Sequence, residues 1–167
     1  MKTLQRLFQY NAWANERVFR LCRELDPALL GADAAGTLGS LGLTLKHLVG
    51  VEDGYLARLS SSDEAEALGS REAYVAHDLD WFVERSLAVS SGYQALLAGR
   101  DETFLESELR IPWIKAPLTA RDGLLQVATH SAQHRAQVLS TLGERGIKVP
   151  DVDYVFMMAE MQGADAS

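Results

Sequence analysis

Apolar residues recur every three or four positions through four long stretches of the chain, which is the period of an amphipathic α-helix. The first stretch runs from about Thr3 to Leu25, and Pro27 is expected to stop it. The second covers about 41 to 60, with Ser40 as a candidate N-cap, and the third covers about 71 to 98 in near-heptad spacing. With a fourth helix described below, the pattern predicts an all-α fold, a four-helix bundle.

Residues 99–118 interrupt the helical pattern before the last helix. Alternating residues and two prolines predict a short extended excursion with turns in this segment. Thr119 and Asp122 then resemble a capping box in which Asp replaces the usual Glu. The fourth helix is expected to run from there to about Arg145, with Gly146 just past its end. The apolar start of the remaining tail should dock, whereas its polar end should fray.

Length and composition favour a single domain over residues 1–167, because a chain that is 47% hydrophobic can bury one core. The net charge of -7 and pI near 5.1 argue against a nucleic-acid partner, since phosphate binding needs a basic surface. We expect no signal peptide, because the start of the chain lacks an unbroken apolar core, and no membrane span, because no apolar stretch approaches roughly 20 residues. The single cysteine, Cys22, lies on an apolar stripe and is expected in the core of a cytoplasmic protein.

Two histidines four residues apart, His130 and His134, are the main chemical signal in the sequence. At this spacing both imidazoles project from one face of a helix, where their nitrogens can bind one metal ion. Such pairs also arise by chance and can simply be polar surface. Here Val127 and Val138 fall on a related stripe, so the pair faces the bundle interior or its edge. An unpaired imidazole is costly there, and a cation would satisfy both.

A third ligand must come from another part of the fold, because two histidines alone make a weak site. His47 on the second helix is one candidate, and His77 is a competing one in a segment that looks partly exposed. Glu52 and Asp53 lie just over one turn beyond His47. Either is a candidate ligand, base or partner that fixes an imidazole tautomer, unless both belong to a solvated helix face. From the residues alone, a solvated face is the favoured interpretation for Glu52 and Asp53, and a surface histidine is the favoured interpretation for His77.

Three stretches resemble the DinB-like (YfiT-like) family, a damage-inducible group of four-helix-bundle proteins inferred to be metalloenzymes. They are YNAWANERVF at 10–19, LKHLVGVEDGYLARL at 45–59 and HSAQHRAQVLSTLGERG at 130–146. Each motif is moderately specific, and their order and separations agree with the family over nearly the whole chain. Ala136 stands where many relatives have glycine, which is a mild departure.

The resemblance implies a divalent metal ion on His47, His130 and His134, and it decides against His77. We favour zinc, with nickel as the alternative. Some relatives look like metal-dependent hydrolases and others like transferases or isomerases that use low-molecular-weight thiols. The expected partner is therefore a small-molecule substrate, with water or a thiolate at the open metal position. Glu52 is the candidate general acid or base.

Other residues near these motifs have two interpretations each. Arg135 would contact an anionic substrate or, as is commoner, form a surface salt bridge. Asn11 and Trp13 would line the pocket or belong to the core as a hydrogen-bonded amide and an aromatic ring. Two alternatives to an enzyme also remain: a non-catalytic metal-binding or stress-related bundle, and a plain bundle with structural histidines. In the latter, the apolar segment YVFMM at 154–158 would support a homodimer, or else pack within the monomer.

Overall fold

The computed structural model describes residues 1–60 and 77–163, and most of them are helical. Short strands pair as two antiparallel two-stranded sheets, β1 with β2 and β3 with β4. In chain order the elements are α1 (Lys2–Arg23), α2 (Pro27–Gly31), β1 (Asp33–Ala34), β2 (Gly39–Ser40), α3 (Leu41–Leu59), α4 (Leu79–Ala98), α5 (Glu102–Leu105), β3 (Glu108–Leu109), β4 (Leu118–Thr119), α6 (Ala120–Glu144) and α7 (Tyr154–Met161).

The four long helices α1, α3, α4 and α6 form a square bundle, which confirms the predicted fold class. Helix α1 packs against α4 and α6, and α3 packs against the same two helices. Helices α1 and α3 therefore lie at diagonal corners, and so do α4 and α6. The connection through α2 and the connection through α5 each cross an end of the bundle to reach the opposite corner.

The ends of α3 and α6 follow from local hydrogen bonds that the sequence predicts. Ser40 Oγ accepts the backbone N–H three residues on at 3.2 Å, as expected of the N-cap. Thr119 and Asp122 form the predicted capping box at the start of α6. Gly146 follows the end of α6 with φ +76°, and the N–H of the next residue donates to Leu142 O at 3.1 Å. This is a Schellman ending, in which glycine takes the left-handed position.

Two boundaries differ from the prediction. Residues 77–78 were expected to be helical, but α4 begins at Leu79 because Asp78 caps it, accepting the N–H of Trp81 at 2.9 Å. The rest of the predicted start of this helix lies outside the described residues. The segment 99–118 was expected to be extended with turns and without helix. Short extended stretches are present, but the absence of helix is wrong, because Asp101 caps the single helical turn α5 at Thr103 N–H. Helix α1 ends at Arg23, two residues short of the predicted end.

Two apolar clusters fill the bundle, one toward each end, and a polar layer lies between them. One cluster combines the N-terminal part of α1 and α6 with the C-terminal part of α3 and α4: Phe8, Leu59, Val89, Tyr93, Leu97, Leu105, Leu109, Ile111, Ala120, Leu124 and Val127. The other combines the opposite parts of the same helices: Val18, Phe19, Cys22, Leu30, Leu41, Leu45, Leu48, Val49, Phe82, Val138 and Leu142. Cys22 is fully buried, and desolvation raises the pKa of its thiol to about 12, so its predicted core position is confirmed.

The apolar tail docks within the monomer through α7, as expected for its first half. Met157 is buried, α7 packs against α1, and the Tyr154 ring lies 5.7 Å from the Tyr10 ring in an edge-on arrangement. Val155 on the outer side stays 64% exposed, so a homodimer through this face stays a prediction. No helix among the described residues combines the length and the apolar character that crossing a bilayer requires.

Candidate metal centre

Helices α3 and α6 bring His47, His130 and His134 together. His47 Nε2 lies 3.1 Å from His130 Nε2, which in turn lies 3.1 Å from His134 Nε2. One nitrogen from each ring lies within 4.8 Å of the other two. His77 is elsewhere: its exposed ring stacks on Trp81 with centroids 4.0 Å apart. The structure therefore groups the three histidines that the family resemblance selected and leaves out the competing one.

The spacing of these nitrogens fits a first-row divalent ion. With metal–nitrogen bonds of about 2.05 Å, neighbouring ligands lie about 3.3 Å apart around a tetrahedral ion and about 2.9 Å apart around an octahedral one. The observed 3.1 Å lies between these two values. Two of the rings belong to one helix at i and i+4, and the third comes from the helix packed beside it. The donor set and its spacing are therefore compatible with a metal site.

Burial keeps two of these imidazoles neutral at pH 7. Desolvation lowers the pKa of His130 to about 4, and the neighbouring His134 and His47 add to that effect. Burial also lowers the pKa of His47, with a further contribution from His134. The neutral imidazole is the form that coordinates a cation, so protons do not compete with a metal at these two rings near pH 7.

The outer nitrogens of the rings differ in their surroundings. His134 Nδ1 lies 2.7 Å from Gln137 Oε1, and donation to this acceptor leaves the Nε2 lone pair directed at the other two histidines. His130 Nδ1 is buried and has no hydrogen-bond partner within the described parts of the chain. Gln137 was not among the site residues predicted from the sequence. Its signal was available, because i+3 on a helix brings it beside His134.

Glu52 and Asp53 are buried, so the solvated-face interpretation of both residues is wrong. Asp53 forms a bidentate ion pair with Arg85, whose Nε and Nη2 donate to Oδ2 and Oδ1 at 2.6 and 2.8 Å. Neither carboxylate joins the three histidines in the group of convergent donors found in residues 1–60 and 77–163. They are buried because α3 has neighbours on two sides, α4 and α6, and little of it faces water.

Glu52 is 1% exposed, and side chains of two other helices surround its carboxylate. Oε1 accepts hydrogen bonds from Asn11 Nδ2 at 2.6 Å, Asn15 Nδ2 at 2.9 Å and Ser131 Oγ at 2.6 Å. Oε2 accepts a second bond from Asn15 Nδ2 at 3.1 Å. Its backbone carbonyl accepts from Tyr93 Oη of α4 at 2.7 Å. A role for Glu52 as general acid or base stays a prediction.

Arg135 is 2% exposed, so a surface salt bridge, which the sequence made the commoner expectation, is wrong. Its Nη1 donates to Asn11 Oδ1 at 2.6 Å and to Asn15 Oδ1 at 2.7 Å. Asn11 is thus a buried, hydrogen-bonded amide, the second of its two interpretations. Trp13 is half-buried: its Nε1–H donates to Glu160 at 2.9 Å, and Arg17 covers its ring at 4.2 Å.

A model of the DinB family matches residues 1–164 of the chain. The protein DinB of Bacillus subtilis (strain 168) is 22% identical over 154 residues, which cover 89% of this chain and 90% of that protein.

Two solved structures from Bacillus subtilis share the fold. A DinB-like protein has a TM-score of 0.66 at 15% identity, over 88% of this chain and 97% of that chain. YfiT has a TM-score of 0.67 at 14% identity, over 89% and 90% of the two chains. YfiT is described as "a probable metal-dependent hydrolase with an unusual four-helix bundle topology". The family model spans nearly the whole sequence and both structures share its bundle, so the chain belongs to the DinB family.

Proposed function

We propose that this protein is a metal-dependent hydrolase that holds one divalent ion on His47, His130 and His134. The observation that carries the proposal is the convergence of three Nε2 atoms from two packed helices, with neighbouring atoms 3.1 Å apart. The description of YfiT, a protein of the same fold, supports it. Three protein ligands leave at least one coordination position open, which is typical of catalytic sites and not of structural ones.

Zinc is the metal we favour, and nickel is the alternative, because both accept imidazole nitrogen. A divalent ion bound here would supply Lewis acidity and lower the pKa of a water molecule or a thiol. The residues of the chain orient the ligands: Gln137 holds the His134 ring so that Nε2 faces the centre. His47 is exposed whereas His134 is buried, so a small-molecule substrate would approach from the His47 side.

Metal analysis of the purified protein tests the ligand set. We expect about one zinc or nickel per chain in the wild type and a large loss in His47→Ala. The matched control is His77→Ala, which removes an exposed histidine outside the group and should keep the metal. A wild type that stays well below one metal per chain after metal-replete expression would favour a plain bundle with structural histidines.

Activity assays separate an enzyme from a metal-binding protein without turnover. A panel of esters and amides would be screened beside conjugation of a low-molecular-weight thiol such as glutathione, with His134→Ala as the inactive control. Metal-dependent ester or amide cleavage supports the hydrolase, and thiol conjugation alone would replace it with a thiol-dependent transferase. If the metal-loaded wild type and His134→Ala are equally inert throughout, the enzyme proposal fails.

A further inference from the structure

We propose that a buried polar network, made of Asn11, Asn15, Glu52, Ser131 and Arg135, positions the metal ligands. It sets the rotation of α3 and α6 about their axes and their positions along those axes, so that the three histidines converge before any metal binds. We call these five residues the Glu52 network. The inference rests on the proposed metal site, and it assigns Glu52 a positioning role in place of acid–base chemistry.

Two charges and two amides bond to one another inside the network, although Arg135 Nη2 is buried without a hydrogen-bond partner among the described residues. Asn11 and Asn15 each donate Nδ2 to Glu52 and accept with Oδ1 from Arg135. Each amide therefore bridges a buried anion and a buried cation, and only one orientation of the amide serves both. Glu52 and Arg135 also balance in charge, which a buried layer requires. An alanine at either asparagine position would leave both charged groups short of a partner.

The network joins helices that do not otherwise pack together. Helices α1 and α3 lie at diagonal corners of the bundle, and the bonds from Asn11 and Asn15 to Glu52 cross its centre. Ser131 and Arg135 connect α6 to the same point. The network lies between the two apolar clusters, whose contacts are not directional and tolerate small shifts between helices. Hydrogen bonds of 2.6–2.9 Å tolerate much smaller shifts between helices, because they depend on distance and angle.

The spacing along α6 connects the network to the metal ligands. Ser131 follows His130 directly, and Arg135 follows His134 directly. Successive residues on a helix point about 100° apart, so holding Ser131 and Arg135 toward the bundle centre turns both histidines toward α3. On α3, Glu52 lies five residues after His47 and fixes the height of that helix. The same bonds that fill the core thus determine where the three imidazoles meet.

Metal affinity distinguishes positioning from a purely structural role. The dissociation constant for Zn²⁺ would be measured by chelator competition in Ser131→Ala and Glu52→Gln, at a temperature where circular dichroism shows each variant folded. We expect both to bind Zn²⁺ at least tenfold more weakly than the wild type. The matched control is Ser86→Ala, which removes another buried hydroxyl, on α4, and should leave the dissociation constant unchanged. Constants within twofold of wild type in both test variants would overturn the inference.

A second readout needs no metal and keeps the inference separate from the proposed function. NMR contacts between the ring protons of His47 and His130 would be recorded in metal-free protein. We expect these contacts in the wild type and in Ser86→Ala, and their loss in Ser131→Ala. If the wild type binds no metal but shows this pattern, the proposed function fails and the positioning role stands. If the ring contacts persist in Ser131→Ala, the positioning role fails whatever the metal content.

Discussion

Replacing Arg135 by methionine should be among the most damaging single changes in this protein. Methionine approximates the length of the arginine side chain but carries no charge and no donor. The change leaves the Oδ1 atoms of Asn11 and Asn15 without the donor that now lies 2.6 and 2.7 Å away. It also removes the cation that balances the Glu52 carboxylate within the Glu52 network, where Glu52 is only 1% exposed.

The magnitude follows from that unpaired charge. The two amides bridge Glu52 and Arg135, which form no direct ion pair, and the carboxylate stays desolvated when the cation is removed. By analogy with the loss of one partner from a buried ionic pair, we expect a cost of about 3–5 kcal/mol. In a chain of this size a loss of 1 kcal/mol lowers Tm by roughly 2–4 °C, so Tm should fall by roughly 6–20 °C. Burial itself lowers the pKa of Arg135, with Glu52 acting in the opposite direction, which shows that the charge is held at a cost.

The assay is urea unfolding of metal-free protein followed by circular dichroism. The matched control is Arg121→Met on the same helix, where the arginine is exposed and pairs with Glu106 at the surface. An exposed pair contributes little, so this control should leave the free energy of unfolding nearly unchanged. If Arg135→Met costs no more than Arg121→Met, the Glu52 network is not an essential part of the fold.

Three further outcomes follow from the same contacts. The pKa of His130 is about 4 in the folded chain and about 6.5 when unfolded, so the unfolded state binds more protons between these pH values. Metal-free protein should therefore lose stability as pH falls from 6.5 toward 4, and a flat profile of unfolding free energy against pH would contradict this. A chelator should lower Tm of metal-loaded protein by roughly 5–10 °C where free metal had been a hundredfold above its dissociation constant, and an unchanged Tm after verified metal removal would show that the fold does not need the site. Cys22 should resist a thiol reagent such as DTNB in the native protein and react fully after unfolding in urea, since burial raises its pKa to about 12; rapid native labelling would refute its core position.

Most of the helical layout could be predicted because it depends on neighbours in sequence. The N-cap at Ser40, the capping box at Thr119 and the glycine ending at Gly146 each use bonds spanning three to five residues. The start of α4 was predicted too early, and the cause is also local. Helical periodicity continues through 77–78, but Asp78 is the N-cap of the helix. Periodicity alone does not distinguish an N-cap residue from a residue inside the helix.

Only part of the candidate site could be predicted from residues close together in the sequence. The i, i+4 spacing of His130 and His134 indicated a metal from local geometry, whereas His47 entered through the family resemblance and not from any rule of spacing. Before the resemblance was considered, only the partly exposed character of the segment around His77 separated it from His47. The packing of α3 against α6 brings one of these histidines to the pair, and the other remains exposed on Trp81.

By itself, then, the sequence determined that the chain forms four long helices, which of their faces are apolar, and that two histidines share a face, because each of these depends on residues within a few positions of one another. Only the tertiary structure decided that Glu52 and Arg135 are buried. Their partners, Asn11 and Asn15, are on α1, which lies diagonally across the bundle from Glu52 and beside the helix that carries Arg135. A charged side chain on an isolated helix would stay in water. Burial of these charges became possible once α1, α3 and α6 met around one point, where Asn11, Asn15 and Ser131 supply hydrogen-bond partners.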